Sequence, residues 1–61
     1  MQSIWIIFRK LDKLWSYAHN EEPGATVSEE VALKSLNMLL DKFQWHDKSE
    51  TDEYIIWKFE V

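Results

Sequence analysis

Acid-base or metal chemistry in this 61-residue chain would have to start from two histidines, His19 and His46, and eleven carboxylates. The histidines alone carry an ordinary pKa near neutrality. A general base also needs a positioned partner, and no spacing around either histidine supplies one: polar Asn20 and Glu21 follow His19, and His46 falls at the mouth of an expected hairpin. None of the serines, Ser3, Ser16, Ser28, Ser35 and Ser49, sits in the Gly-x-Ser-x-Gly elbow of a hydrolase. One glycine is too few for a Gly-rich phosphate loop. The absence of cysteine removes thiolate nucleophiles, disulfides and cysteine zinc sites. Asp47 to Glu53 places side-chain oxygens at spacings like the start of a calcium loop, but Asp52 stands where the sharp turn needs glycine and Lys58 where a bidentate glutamate belongs. A two-histidine metal site would need the fold to bring His19 and His46 together. The expectation is therefore no enzyme, with no catalytic, cofactor or metal residues.

Charge and aromatic residues say more. Residues 1–19 carry Arg9, Lys10 and Lys13 against Asp12, residues 20–30 carry Glu21, Glu22, Glu29 and Glu30 with no base, and Asp47, Glu50, Asp52 and Glu53 face only Lys48 in residues 47–53. Two acidic segments thus produce the net charge of -4, which disfavours non-specific binding to a phosphate backbone. Arg9, Lys13 and Tyr17 would make a basic strip if the first segment were helical. Four tryptophans, Trp5, Trp15, Trp45 and Trp57, are many for so short a chain, since each buries on the order of 200 Å². Trp15 and Trp57 fall on core stripes. Trp5 and Trp45 do not, and aromatic residues left at a surface are enriched at protein interfaces.

The elements that must position these residues follow from periodicity. Asn20 to Ala25, with Pro23-Gly24, is the one strong break. After it, Thr26 and Glu29 fit a capping box, and Ala32, Leu36, Leu39, Leu40 and Phe43 recur on one helical face over residues 26–43. Residues 53–61 alternate as a strand, with Ile55, Trp57, Phe59 and Val61 on the core side and Tyr54, Ile56, Lys58 and Glu60 on the other. Lys42 to His46 is expected to pair back on it across a loop at Asp47 to Asp52. Residues 2–8 read either as a third strand, dense in Ile and Trp, or as the start of a helix; Leu11, Leu14, Trp15 and Ala18 are placed on a helix in both readings.

The chain is expected to be a single small globular domain over residues 1–61, of the α+β class: two helices packed on a small antiparallel sheet formed by a C-terminal β-hairpin. Leu36, Leu39, Phe43, Trp57 and Phe59 should centre the core, with Leu11 and Trp15 against them. Its longest apolar run, Ile4 to Phe8, is far short of the ~20 residues of a membrane span, so a cytoplasmic protein is expected. The helix-then-hairpin order of residues 28–61 resembles the second half of a winged-helix domain through topology alone, which would imply a DNA-binding regulator using Arg9, Lys10 and Lys13. The leading expectation is a small acidic non-enzymatic interaction module, an adaptor, regulator or inhibitor, that binds a protein partner and pairs with itself. Its interface candidates are Trp5, Ile6, Trp45, Tyr54 and Ile56, with the edge of the terminal strand extending the sheet across a dimer. A sharper variant is a nucleic-acid mimic of the kind phages and mobile elements carry, inhibiting a DNA- or RNA-binding enzyme through Glu21, Glu22, Glu29, Glu30, Asp47, Glu50, Asp52 and Glu53.

Overall fold

Ser3 to Arg9 concentrates isoleucine, tryptophan and phenylalanine, side chains that pack well on a pleated surface. In the computed structural model, which describes residues 2–20 and 22–61, this run is β1 (Ser3–Arg9), the middle strand of an antiparallel sheet. The chain continues through β2 (Leu14–His19), β3 (Ala25–Val27), α1 (Glu29–Lys42), β4 (Asp47–Glu50) and β5 (Tyr54–Glu60). Strand order is β3-β2-β1-β5-β4. The first three strands form a meander, α1 carries the chain from one sheet edge to the other, and β5 then inserts between β4 and β1.

The period of two along each strand decides what α1 covers. Ile4, Ile6 and Phe8 of β1 share a face with Trp15 and Tyr17 of β2, Val27 of β3 and Trp57 and Phe59 of β5. Against them α1 lays Ala32, Leu36 and Leu39, closing a core in which Ile6 and Phe59 are fully buried. Phe8 and Trp57 flank Trp15, with ring centroids 4.7 Å and 5.9 Å away, the second pair stacked at 16°. Ser28 caps the helix, its hydroxyl accepting from the Val31 N–H at 3.2 Å. Glu29 and Glu30 in the first turn and Lys42 in the last complement the helix dipole.

Several expectations are corrected. Among the described residues there is one helix and a five-stranded sheet, a mostly β domain, in place of two helices on a small C-terminal hairpin sheet. Residues 2–8 take the strand alternative. Leu14, Trp15 and Ala18 lie on β2, where six pairings with β1 outweigh a helical period that the same residues also satisfy. Leu11 sits at the turn before β2, 85% exposed, and takes no part in the core. Arg9, Lys13 and Tyr17 therefore form no helical strip, and with the first helix goes the winged-helix likeness. Thr26 is held in β3 opposite Ser16, so the cap passes to Ser28. Lys42 to His46 is no strand: Phe43 ends the helix, and the segment read as a loop forms β4, with the turn at residues 51–53. There the Thr51 hydroxyl accepts from the N–H groups of Glu53 and Tyr54 at 3.3 and 3.1 Å.

Candidate functional site

Alternation sends the remaining strand residues to the face away from α1, and among the described residues no helix or strand covers it, although the connection before β3 comes against its β2 end at Ala18, which is buried. Antiparallel sheets with one solvated face ordinarily turn polar side chains outward. Here β1 turns out Ser3, Trp5, Ile7 and Arg9, and its neighbour β5 turns out Tyr54, Ile56, Lys58 and Glu60. Ile7 is registered directly across from Ile56, Trp5 from Lys58 and Arg9 from Tyr54. On the other side Trp5 meets Ala18, Ile7 meets Ser16 and Arg9 meets Leu14. Trp5, Ile7, Tyr54 and Ile56 are half-buried and Leu14 is exposed, so the middle of this face is an apolar strip two to three strands wide.

Polar groups frame the strip. The Lys58 ammonium stands 5.7 Å from the centre of the Trp5 ring and 3.6 Å from Glu60 Oε1, a cation over an aromatic face anchored by a carboxylate. The Trp5 indole N–H is buried without a hydrogen-bond partner among the described residues, a donor whose desolvation costs ~1–3 kcal/mol. At the Ser3 end, Asn20 adopts φ 53° and turns its Oδ1 to the Ser3 N–H at 3.0 Å, while its own N–H donates to the Ser3 carbonyl at 2.8 Å. Asparagine tolerates that left-handed backbone better than most residues.

The opposite end of the sheet gathers the charges. A cleft of about 600 Å³ is lined by Arg9, Lys10, Leu11, Asp52, Glu53 and Tyr54. Lys10 Nζ pairs with Glu50 Oε2 at 2.8 Å, and its backbone N–H donates to the Glu53 carbonyl at 2.8 Å. The hydrogen bond from Lys10, then its charge, holds the Glu50 carboxyl below the usual carboxylate range, with Lys48 adding to this and desolvation opposing it. Arg9 Nε lies 3.3 Å from Asp12 Oδ2.

Of the expected interface residues, Trp5, Tyr54 and Ile56 come together on the uncovered face. Ile6 points the other way and is 0% exposed, so it cannot meet another chain. Trp45 stands apart, 57% exposed in the connection after α1. Nor is the terminal strand an edge: β4 covers it, so it cannot extend the sheet across a dimer. The acids divide into two groups. Glu29 and Glu30 open the helix next to β3, whereas Asp47, Glu50, Asp52 and Glu53 belong to the β4–β5 hairpin, whose edge strand β4 is separated from β3 by the three strands between them. Glu22 is exposed in the connection before β3, and Glu21 lies outside the described residues. His19 and His46 flank the Ile4–Phe59 row: His19 is registered on Ile4, and the His46 ring is 5.9 Å from that of Phe59. Two strand spacings, roughly 10 Å, separate His19 from Phe59, and His46 approaches that row from the connection before β4. His19 Nε2 lies 3.3 Å from Gln2 Oε1.

Ile7, Leu14, Arg9 and Lys58 join the face although none of them was among the expected interface residues. The signal was present in β1, where Trp5 and Ile7 are two residues apart and opposite in phase to Ile4, Ile6 and Phe8. Comparison with protein-family models, curated proteins and solved structures finds no match to this chain.

Proposed function

We propose that this chain is a non-enzymatic protein-interaction module that presents the uncovered face of its sheet to a protein partner. The observation that carries this reading is the strip of Trp5, Ile7, Tyr54 and Ile56 on a face where a solvated sheet would place polar residues. An apolar centre within a polar rim of Arg9, Ser16, Lys58 and Glu60 has the anatomy of an interface, and large apolar patches left in water mark contact sites. Completing the burial of an isoleucine or aromatic side chain is worth up to ~1.5–3 kcal/mol, enough for a few such residues to anchor a complex.

A photo-crosslinking amino acid placed at Ile56, compared with one at Asn37 on the exposed side of α1, tests this in cells producing the chain. Covalent protein adducts from position 56 and none from position 37 are expected. Equal labelling from both, or none from either, refutes the assignment of the face.

A further inference from the structure

We infer that the occupant of the uncovered face is a second copy of this chain, packed sheet against sheet about a two-fold axis that runs parallel to the strands between β1 and β5. The inference rests on the reading of that face as protein-binding and adds the partner and the register.

Self-complementarity carries it. β1 offers Trp5, Ile7 and Arg9 along the strip, and β5 offers Lys58, Ile56 and Tyr54 at the same three levels. A two-fold interface sets one surface patch against itself, and this axis lays each β1 over the β5 of the other chain. Trp5 then meets the partner's Lys58, Ile7 the partner's Ile56, and Arg9 the partner's Tyr54. Both outer levels match a cation to an aromatic ring, the middle level is wholly apolar, and no like charges oppose. Lys58 already stands over Trp5 within one chain at 5.7 Å, so the same attraction is offered twice, in cis and in trans. Sheets that pack face to face keep their strands within about 30° of each other, which preserves this order of levels.

Size agrees. The molecule measures 29 × 21 × 18 Å, and a flat face of the two longer edges is about 600 Å² before side-chain relief is added, close to the ~800 Å² per partner of a standard interface. Such packing also gives a chain of this length, without disulfides, a second apolar layer, which small domains need.

Sedimentation equilibrium of the purified chain at about 100 µM should report twice the 7.4 kDa chain mass. Ile7→Lys and Ile56→Glu should each reduce it to one chain, while Val31→Lys on the exposed side of α1 leaves it doubled. Mixing the Ile7→Lys and Ile56→Glu chains should restore a doubled mass, because position 7 of one meets position 56 of the other. Should either variant fail to fold by circular dichroism, Arg9→Glu and Tyr54→Lys pose the same question on the rim, with the mixture again heavier than Tyr54→Lys alone. A parent chain of single mass, a dimer that survives both isoleucine variants, or a mixture that stays single each overturns the inference. A single parent chain that still crosslinks to another protein from position 56 overturns the inference and leaves the reading of the face standing; the loss of all crosslinks from position 56 takes both.

Discussion

Gly24→Ala isolates a demand that the backbone angles do not reveal. Gly24 does not have a positive φ, so an alanine there meets no torsional penalty. Its methyl group, however, would lie 2.6 Å from the Tyr17 carbonyl oxygen, 2.9 Å from that carbonyl carbon and 3.3 Å from the Ala18 Cβ. The two closest atoms belong to the backbone of β2, which is tied to β1 and β3 and cannot swing aside as a side chain would. Overpacking of this kind costs ~1–3 kcal/mol, and the stiffer unfolded chain of the alanine variant returns ~0.4–1 kcal/mol. A net loss of about 1–2 kcal/mol lowers Tm by roughly 5–15 °C in a domain this small. Thermal unfolding followed by circular dichroism at one fixed concentration measures it. Adding Ala18→Gly relieves only the 3.3 Å contact, so the double variant should melt no higher than Gly24→Ala alone. A Tm equal to or above that of the parent chain would show that residues 22–25 are free to lift from β2, and the close approach would then have no energetic meaning.

Leu39, 3% exposed under the sheet, should cost ~2–5 kcal/mol when cut to alanine, whereas Leu11→Ala at the turn should stay within about 0.5 kcal/mol; similar losses at both sites would contradict the placement of the core. Because the Glu50 carboxyl is held low, its ion pair with Lys10 supports the fold above the usual carboxylate range and is lost as pH falls through the depressed folded value. Lys10→Met should raise the Glu50 midpoint read from its side-chain carboxyl resonance, and an unmoved midpoint would remove Lys10 as the cause. Ser28→Ala removes the acceptor for the Val31 N–H and should lower stability by ~0.5–2 kcal/mol; no change in denaturant midpoint would mean that water serves the cap equally well.

Legibility followed the strength of local periodicity. Of the stripe that the helical spacing indicates, Ala32, Leu36 and Leu39 are buried and Phe43 is partly buried, whereas Leu40 is 40% exposed, and the two faces of residues 54–60 alternate as their types suggest. Between Arg9 and Leu14 the signal fails for a physical reason. The turn is built from Lys10, Leu11, Asp12 and Lys13, with Lys13 at φ 56°, and Asp12 is its single turn-favouring residue, without the Gly, Asn or Pro that mark such a reversal most strongly. Without a visible turn, Leu11, Leu14, Trp15 and Ala18 satisfy a helix period as well as they satisfy a strand. Asp47 to Glu50 misleads in the opposite way: a strand at a sheet edge gains from charged residues that discourage further pairing, and such a run reads as loop. The uncovered face was legible as a surplus of aromatic residues, but its membership depended on the phase of β1, which only the choice of strand over helix could set.

The first strand in the sequence is the middle strand of the sheet, and this has a consequence for the chain while it is being made. β1 can zip to β2, and β2 to β3, early, yet the other side of β1 must wait for β5, whose paired residues are added 45 to 57 positions later. At ~5–20 residues per second, an edge rich in Ile, Trp and Phe stands open for several seconds on the ribosome. During that time, the nearest complementary strand can belong to a neighbouring nascent chain on the same message. Exchange of β5 between two such chains, with α1 as the reaching arm, would satisfy every pairing of the native sheet in an intertwined product. Dense polysomes should therefore yield more entangled pairs than sparse ones, and slowing translation before residue 54 should increase them further.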